Sequence, residues 1–143
     1  MKSKISIIAI IHLLFLAACN NPLVMIENTP IPLPESGKAI VYGKVLSNSG
    51  GPLKNTPIRL AEIYRGEDGS GAFALDEAFS PATMSDENGI YLFSNIPPGE
   101  YVLFIGSINT NFMIHANPDL SAIVYEVGSN ESLEIETVTV NFD

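Results

Sequence analysis

Few side chains in this sequence are of a type that carries covalent or acid–base chemistry. Cys19 is the only cysteine in 143 residues, and of the two histidines His115 alone lies beyond the N-terminal leader. A catalytic triad, a zinc site or a general acid–base pair needs several such groups converging. The surroundings of His115, N-F-M-I-H-A-N-P-D-L, offer no second histidine or cysteine. No G-x-S-x-G, H-E-x-x-H or phosphate-cradling glycine loop occurs either. The expectation is a protein without catalysis, metal or cofactor. Two carboxylate groups are the remaining candidates for chemistry. Glu67, Asp68, Asp76 and Glu77 cluster in a glycine-rich stretch, and Asp86-Glu87-Asn88-Gly89 follows. Calcium favours clustered oxygens, but the alternating Asp/Asn array with a closing Glu is missing. The second group reads better as a turn. In it Asp86 accepts backbone N–H groups and Gly89 adopts a left-handed conformation.

Cys19 has its own logic. Lys2 and Lys4 precede an apolar run from Ile5 to Phe15, the pattern of an export signal that takes no part in the fold. The run is short for a spanning helix, which needs about 20 apolar residues. Leu16-Ala17-Ala18-Cys19 resembles the bacterial lipoprotein signal, whose cysteine becomes the lipid-bearing first residue of the mature chain. Acylation also accounts for a lone thiol in an exported protein. The expected address is the bacterial cell membrane, lipid-anchored at Cys19 and facing the extracytoplasmic side. Removing residues 1–18 takes away two of seven basic residues and none of the sixteen acidic ones, leaving a formal charge of about −11. Such a surface excludes nucleic acid as a natural partner and disfavours lying flat on anionic lipid.

The chain divides, on this reading, into a signal peptide (1–18), the lipidated cysteine with a Pro-rich tether (19–37), and one folded domain (38–143). Pro22, Pro30, Pro32 and Pro34 make the second part extended and semi-rigid. Ile31 and Leu33 leave its end open, since they can also dock on a sheet edge. In the domain, Val41, Gly43 and Val45 alternate with Tyr42 and Lys44 in a first strand over about 38–46. Ile58–Tyr64 is a second strand, with Ile58 and Leu60 inward. Residues 66–81 read as a long acidic loop, part of it packed down through Phe73, Leu75 and Phe79, as in a helical turn.

The organising hairpin spans residues 83–105. Tyr91, Phe93 and Ile96 face inward, Pro97-Pro98-Gly99 reverses the chain, and Tyr101, Leu103 and Ile105 continue the inner face. A positive φ is expected at Gly99. Residues 106–120 form a second loop whose Phe112, Met113 and Ile114 cover the sandwich end. Strands around Ile123–Val127 and Val138–Phe142 complete the count. Short strands, frequent turns and no helical period give an all-β, seven-stranded antiparallel Greek-key β-sandwich after a signal peptide and linker.

The series V-Y-G-K-V-L-S-N-S-G-G-P-L-K-N-T-P-I-R-L and S-D-E-N-G-I-Y-L-F-S-N-I-P-P-G-E-Y-V-L resembles the carboxypeptidase regulatory-like family over about residues 38–105. That family is a transthyretin-like, prealbumin-type sandwich, similar also to Cna-B-type surface repeats. Asp86, Gly89, Pro98, Gly99 and Tyr101 carry the D-x-x-G…P-P-G-x-Y spacing, which encodes turns and core rather than chemistry. The resemblance implies an extracytoplasmic structural, adhesive or protein-interaction role. Cna-B domains also form a Lys–Asn isopeptide, and Lys44 and Asn141 stand on the corresponding strands. The promoting acid is missing from Tyr101-Val102-Leu103-Phe104-Ile105-Gly106, so no crosslink is expected. The alternative role is binding of a soluble ligand such as carbohydrate. The chain has no Trp, and Tyr42 and Tyr64 are the only tyrosines outside the expected core. The sequence points to a membrane partner through the lipid and to a protein partner at the cell surface whose nature it does not specify.

Overall fold

A computed structural model describes residues 23–142; the expected signal peptide and Cys19 lie outside the described residues. Within them the chain is all-β: β1 (Val24–Ile26), β2 (Thr29–Ile31), β3 (Ala39–Ser47), β4 (Pro57–Arg65), β5 (Gly71–Ala74), β6 (Ala82–Met84), β7 (Ile90–Ile96), β8 (Gly99–Ser107), β9 (Asn111–Ile114), β10 (Val124–Val127) and β11 (Ser132–Val140). One sheet runs β11-β3-β7. The larger one runs β10-β8-β4-β5, with β6 also on β4 and β9 also on β8. Between them lies a core in which Val41, Val45, Tyr91 and Phe93 meet Ile58, Leu60, Leu103 and Ile105. The period-2 pattern explains it: each of these residues alternates with a partner on the other face of its strand.

The sandwich expected from the sequence is present, with more strands than seven. The additional strands are short and come from segments that read as loops. Residues 71–74 pair with β4 where a helical turn was expected, and β9 pairs with β8 inside the second loop. One ladder is parallel rather than antiparallel: β11 runs alongside β3, with a register shift between Ile135 and Val138.

A larger departure concerns the tether. Residues 24–31 form a hairpin closed by Glu27 and Asn28, both at positive φ, which is the type I′ geometry that suits strand twist. Ile26 and Ile31 are buried with Ile40, Tyr42 and Ile90 in a second apolar cluster. The prolines do not oppose this. The closing pair Ile26–Thr29 carries the ladder hydrogen bonds, so the next pair, Met25–Pro30, needs no N–H from proline. The end of the tether is thus part of the folded unit, and Tyr42 is covered by it rather than exposed.

The Pro97-Pro98-Gly99 reversal also differs from expectation: β7 and β8 belong to different sheets and do not pair, so the segment is an arch carrying the chain from the small sheet to the large one and not the turn of a hairpin. Gly99 is not at positive φ; the left-handed residue is Asn95, at a bulge where Ser94 and Asn95 stand opposite Ile40 alone. The turn is closed instead by the Tyr101 hydroxyl, which donates to the Pro97 carbonyl at 2.9 Å.

Two predictions test this architecture. Ile31→Ala should lower unfolding free energy by about 2–4 kcal/mol, the cost of a truncated buried aliphatic; urea melts matching wild type would mean that the hairpin does not pack. Gly89→Ala should cost at least about 1–2 kcal/mol, since Gly89 has φ +78° and a Cβ would press into the Val45 carbonyl oxygen. Gly99→Ala, whose Cβ would meet only the Tyr101 ring at 3.5 Å, should stay within about 0.5 kcal/mol of wild type. Equal costs at the two positions would contradict this account of the turns.

Candidate functional site

The aspartates of the candidate calcium loops accept hydrogen bonds from their own backbone. Asp68 accepts from Ser70 N–H, and Asp76 from Ala78 and Phe79 N–H at 2.7 and 3.2 Å. Glu77 accepts from the Asn109 amide at 2.8 Å. Asp86 accepts from Asn88 and Ile90 N–H at 2.8 and 2.9 Å, while Gly89 holds the left-handed position. Among the described residues no three His, Cys, Asp or Glu side chains converge as a metal cage. Lys44 directs its Nζ to both carboxylate oxygens of Glu27 at 2.7 Å. Asn141, its partner in the isopeptide comparison, lies one residue beyond β11.

His115 and Tyr125 do come together. His115 directly follows β9 and Tyr125 lies within β10, and His115 Nδ1 stands 2.5 Å from the Tyr125 hydroxyl with the rings stacked at 6.0 Å. Backbone bonds from His115 to Leu103 and from Ile123 to His115 fix the pair. Ile123, Leu133, Glu134 and Glu136 surround it, at the seam where β11 faces the large sheet. Burial lowers the His115 pKa, opposed by Glu136, and burial with Glu136 pushes Tyr125 up to about 12. At neutral pH both groups are therefore neutral, and hydroxyl and imidazole satisfy each other. Neither is poised for proton transfer near pH 7, where general acid–base catalysis works best.

The outer face of the large sheet is a different kind of site. Phe104 is buried there between two rings, Phe73 edge-on at 5.5 Å and Phe112 stacked at 5.7 Å. β5 and β9 place these rings, because Ile63 opposes Phe73 and Gly106 opposes Phe112 across the ladders. Phe73, Phe112 and Val124 each remain a little under half exposed. Beside them a groove of about 220 Å³ is lined by Ile63, Phe73, Val102, Ala122 and Val124, with Arg65 at its rim. Arg65 forms a bidentate pair with Glu100 at 2.7 and 2.8 Å, which fixes the guanidinium more than it stabilises the fold, being half exposed. Where β4 overhangs the core, Tyr64 and Phe79 project with Glu62 and Asp76 around a smaller pocket. The aromatic face went unrecognised in the sequence because Phe73 and Phe112 lie in segments that read as loops. Their spacing to strand partners was the available signal.

No family model and no curated protein sequence matches the chain. Solved structures of similar fold exist. The major pilin subunit of Bacillus cereus matches at TM-score 0.45 and 19% identity over 74% of this chain, which spans 30% of the pilin. A candidate carbohydrate-binding protein of Pseudomonas aeruginosa matches at TM-score 0.45 and 16% identity, over 76% of this chain and 92% of its own. The dioxygenase domain of a dioxygenase carbohydrate-binding protein fusion from Streptomyces sp. SirexAA-E matches at TM-score 0.44 and 14% identity, over 75% and 82%.

The partly buried pair yields a pH prediction. A histidine whose folded pKa lies below its ordinary value near 6.5 gives stability that is full above that value. This contribution is lost as pH falls through the lowered pKa. Chemical denaturation at about pH 8 and about pH 5 should show wild type losing more stability than His115→Gln over that interval. Parallel losses would mean that His115 is not held neutral.

Proposed function

We propose that this chain is an extracytoplasmic lipoprotein, acylated at Cys19, whose transthyretin-like sandwich of carboxypeptidase regulatory-like type is a non-catalytic interaction module. Its contact surface is the outer face of the large sheet, and its partner is a protein at the cell surface. The observation that carries this reading is the groove lined by half-exposed Phe73 and Val124, with half-exposed Phe112 stacked on Phe104 on the same face. Aromatic anchors beside an apolar depression, rimmed by a fixed guanidinium, are what protein interfaces use at their centres. The anchor rests on Leu16-Ala17-Ala18-Cys19.

A second reading is favoured by Tyr64 and Phe79. Exposed rings beside the carboxylates of Glu62 and Asp76 are the mixture of apolar faces and hydrogen-bonding groups that a sugar ring uses. Mutating the two surfaces separates the readings.

A photo-crosslinking residue at Phe112 in living cells should yield one discrete adduct, abolished by Val124→Glu and unaffected by Tyr64→Ala. Absence of any adduct at Phe112 and Phe73, with retention on polysaccharide lost in Tyr64→Ala, would transfer the role to the second surface. Cys19→Ser should move the protein from the membrane to the soluble fraction; retention in the membrane would defeat the anchor.

A further inference from the structure

The β1–β2 hairpin presents two faces of opposite destiny. Ile26 and Ile31 turn inward to the second cluster. The opposite face carries Met25 and Pro30 as a cross-strand pair, flanked by Leu23 and Pro32. Leu23, Met25 and Leu33 are each more than half exposed. The one charge on the hairpin, Glu27, is neutralised by Lys44 at 2.7 Å. Pro30 and Pro32 also remove N–H donors from the free edge of β2, so this edge has less polar backbone to hydrate than an ordinary one.

The position of this face in the chain says what covers it. Only Asn20, Asn21 and Pro22 separate Leu23 from Cys19. Four residue steps reach at most about 14 Å, less than half the thickness of a bilayer core. Resting on the acylation of Cys19 proposed above, we infer that the exposed face of the hairpin lies against the bilayer at headgroup depth and sets the orientation of the domain. The charge distribution agrees. Glu27 and Glu35 are balanced by Lys38 and Lys44 from residue 20 to residue 44, whereas beyond residue 44 there are fourteen acidic residues and three basic ones. The stretch of chain nearest the lipid carries no net charge, with Glu134 the acidic side chain set beside it through the Tyr42 hydroxyl, and anionic headgroups repel the acidic remainder outward. Interfacial depth also fits the backbone, because the outer edges of a two-stranded hairpin keep polar groups that hydrocarbon would leave unsatisfied.

The test uses the acylated protein purified from its own membranes and reconstituted in phosphatidylcholine vesicles. Acylation consumes the Cys19 thiol, so Met25→Cys supplies a single site for an environment-sensitive fluorophore. Glu67→Cys, exposed on the turn between β4 and β5, serves as the control. The label at 25 should shift to the blue on reconstitution and be quenched by lipids bearing a headgroup-level nitroxide, while that at 67 does neither. Floating vesicles that carry protein with both labels equally unquenched would overturn the hairpin contact and leave the anchor standing. Protein that fails to float would overturn both. A blue shift that follows protein concentration without vesicles would assign the face to a second copy of the chain and overturn the bilayer assignment.

Discussion

The small sheet depends on β3 being buried on both faces. It is the middle strand of three, so its backbone is paired on both edges, and its side chains must then find cover in two directions. Ala39, Val41 and Val45 take the main core, while Ile40 and Tyr42 take the β1–β2 hairpin. Such strands read as near-continuous apolar runs rather than clean alternation, and A-I-V-Y-G-K-V is that kind of run. Gly43 belongs to the same constraint. A Cβ there would sit 2.6 Å from the Tyr91 hydroxyl and 2.8 Å from the Ile135 carbonyl. Its absence lets the Tyr91 ring fill the core and β11 approach closely enough to pair. The outward face ends at Lys44, whose charge closes on Glu27. The hairpin is therefore the cover of a face that the rest of the sheet leaves apolar.

One of the crossings between the two sheets is where the chain passes from β6 in the large one to β7 in the small one. Ser85 sits at that crossing, almost fully buried, and its hydroxyl donates to Leu53 and accepts from Thr56 N–H. Asp86 then closes the turn, and Gly89 accepts from Val45 N–H through its carbonyl. A larger residue at 89 would push β7 away from β3, because the nearest obstacle is the β3 backbone itself. The S-D-E-N-G stretch is thus a corner in which Ser85, Asp86 and Gly89 each answer a particular backbone group or conformation.

That corner was legible in the sequence, and so were β3, β4, β7 and β8, because Asp and Gly have strong local preferences and the apolar period is two. The parts that were not legible lack a local signal. Parallel pairing of β11 with β3 joins residues about ninety positions apart, and nothing within either strand marks its partner's direction. The hairpin at 24–31 turns on Glu27-Asn28 rather than a glycine pair. A glutamate in the left-handed region costs about 1–2 kcal/mol and is offset by contacts made elsewhere, the ion pair to Lys44 and the burial of Ile26 and Ile31. Prolines at alternate positions mimic a tether while satisfying an edge strand. The candidate interaction face was hidden for a related reason: Phe73 and Phe112 acquire meaning only when β5 and β9 set them on either side of Phe104.

The acidic composition also divides into two kinds of work. Every aspartate among the described residues, Asp68, Asp76, Asp86 and Asp119, accepts a backbone N–H two residues onward. Its single methylene places the carboxylate within reach of that group, which a glutamate attains less readily. The aspartates thus hold loops, and in the G-E-D-G-S-G stretch Asp68 fixes a turn through Ser70 N–H. The glutamates divide between strands (Glu62, Glu100, Glu126, Glu134 and Glu136) and turns or loops, and some meet cations, as Glu27 meets Lys44 and Glu100 meets Arg65. With so few bases in the chain, most of the glutamate charge stays in solvent. It keeps the sandwich soluble while leaving the apolar hairpin and the aromatic face as the uncharged regions of an otherwise repulsive surface.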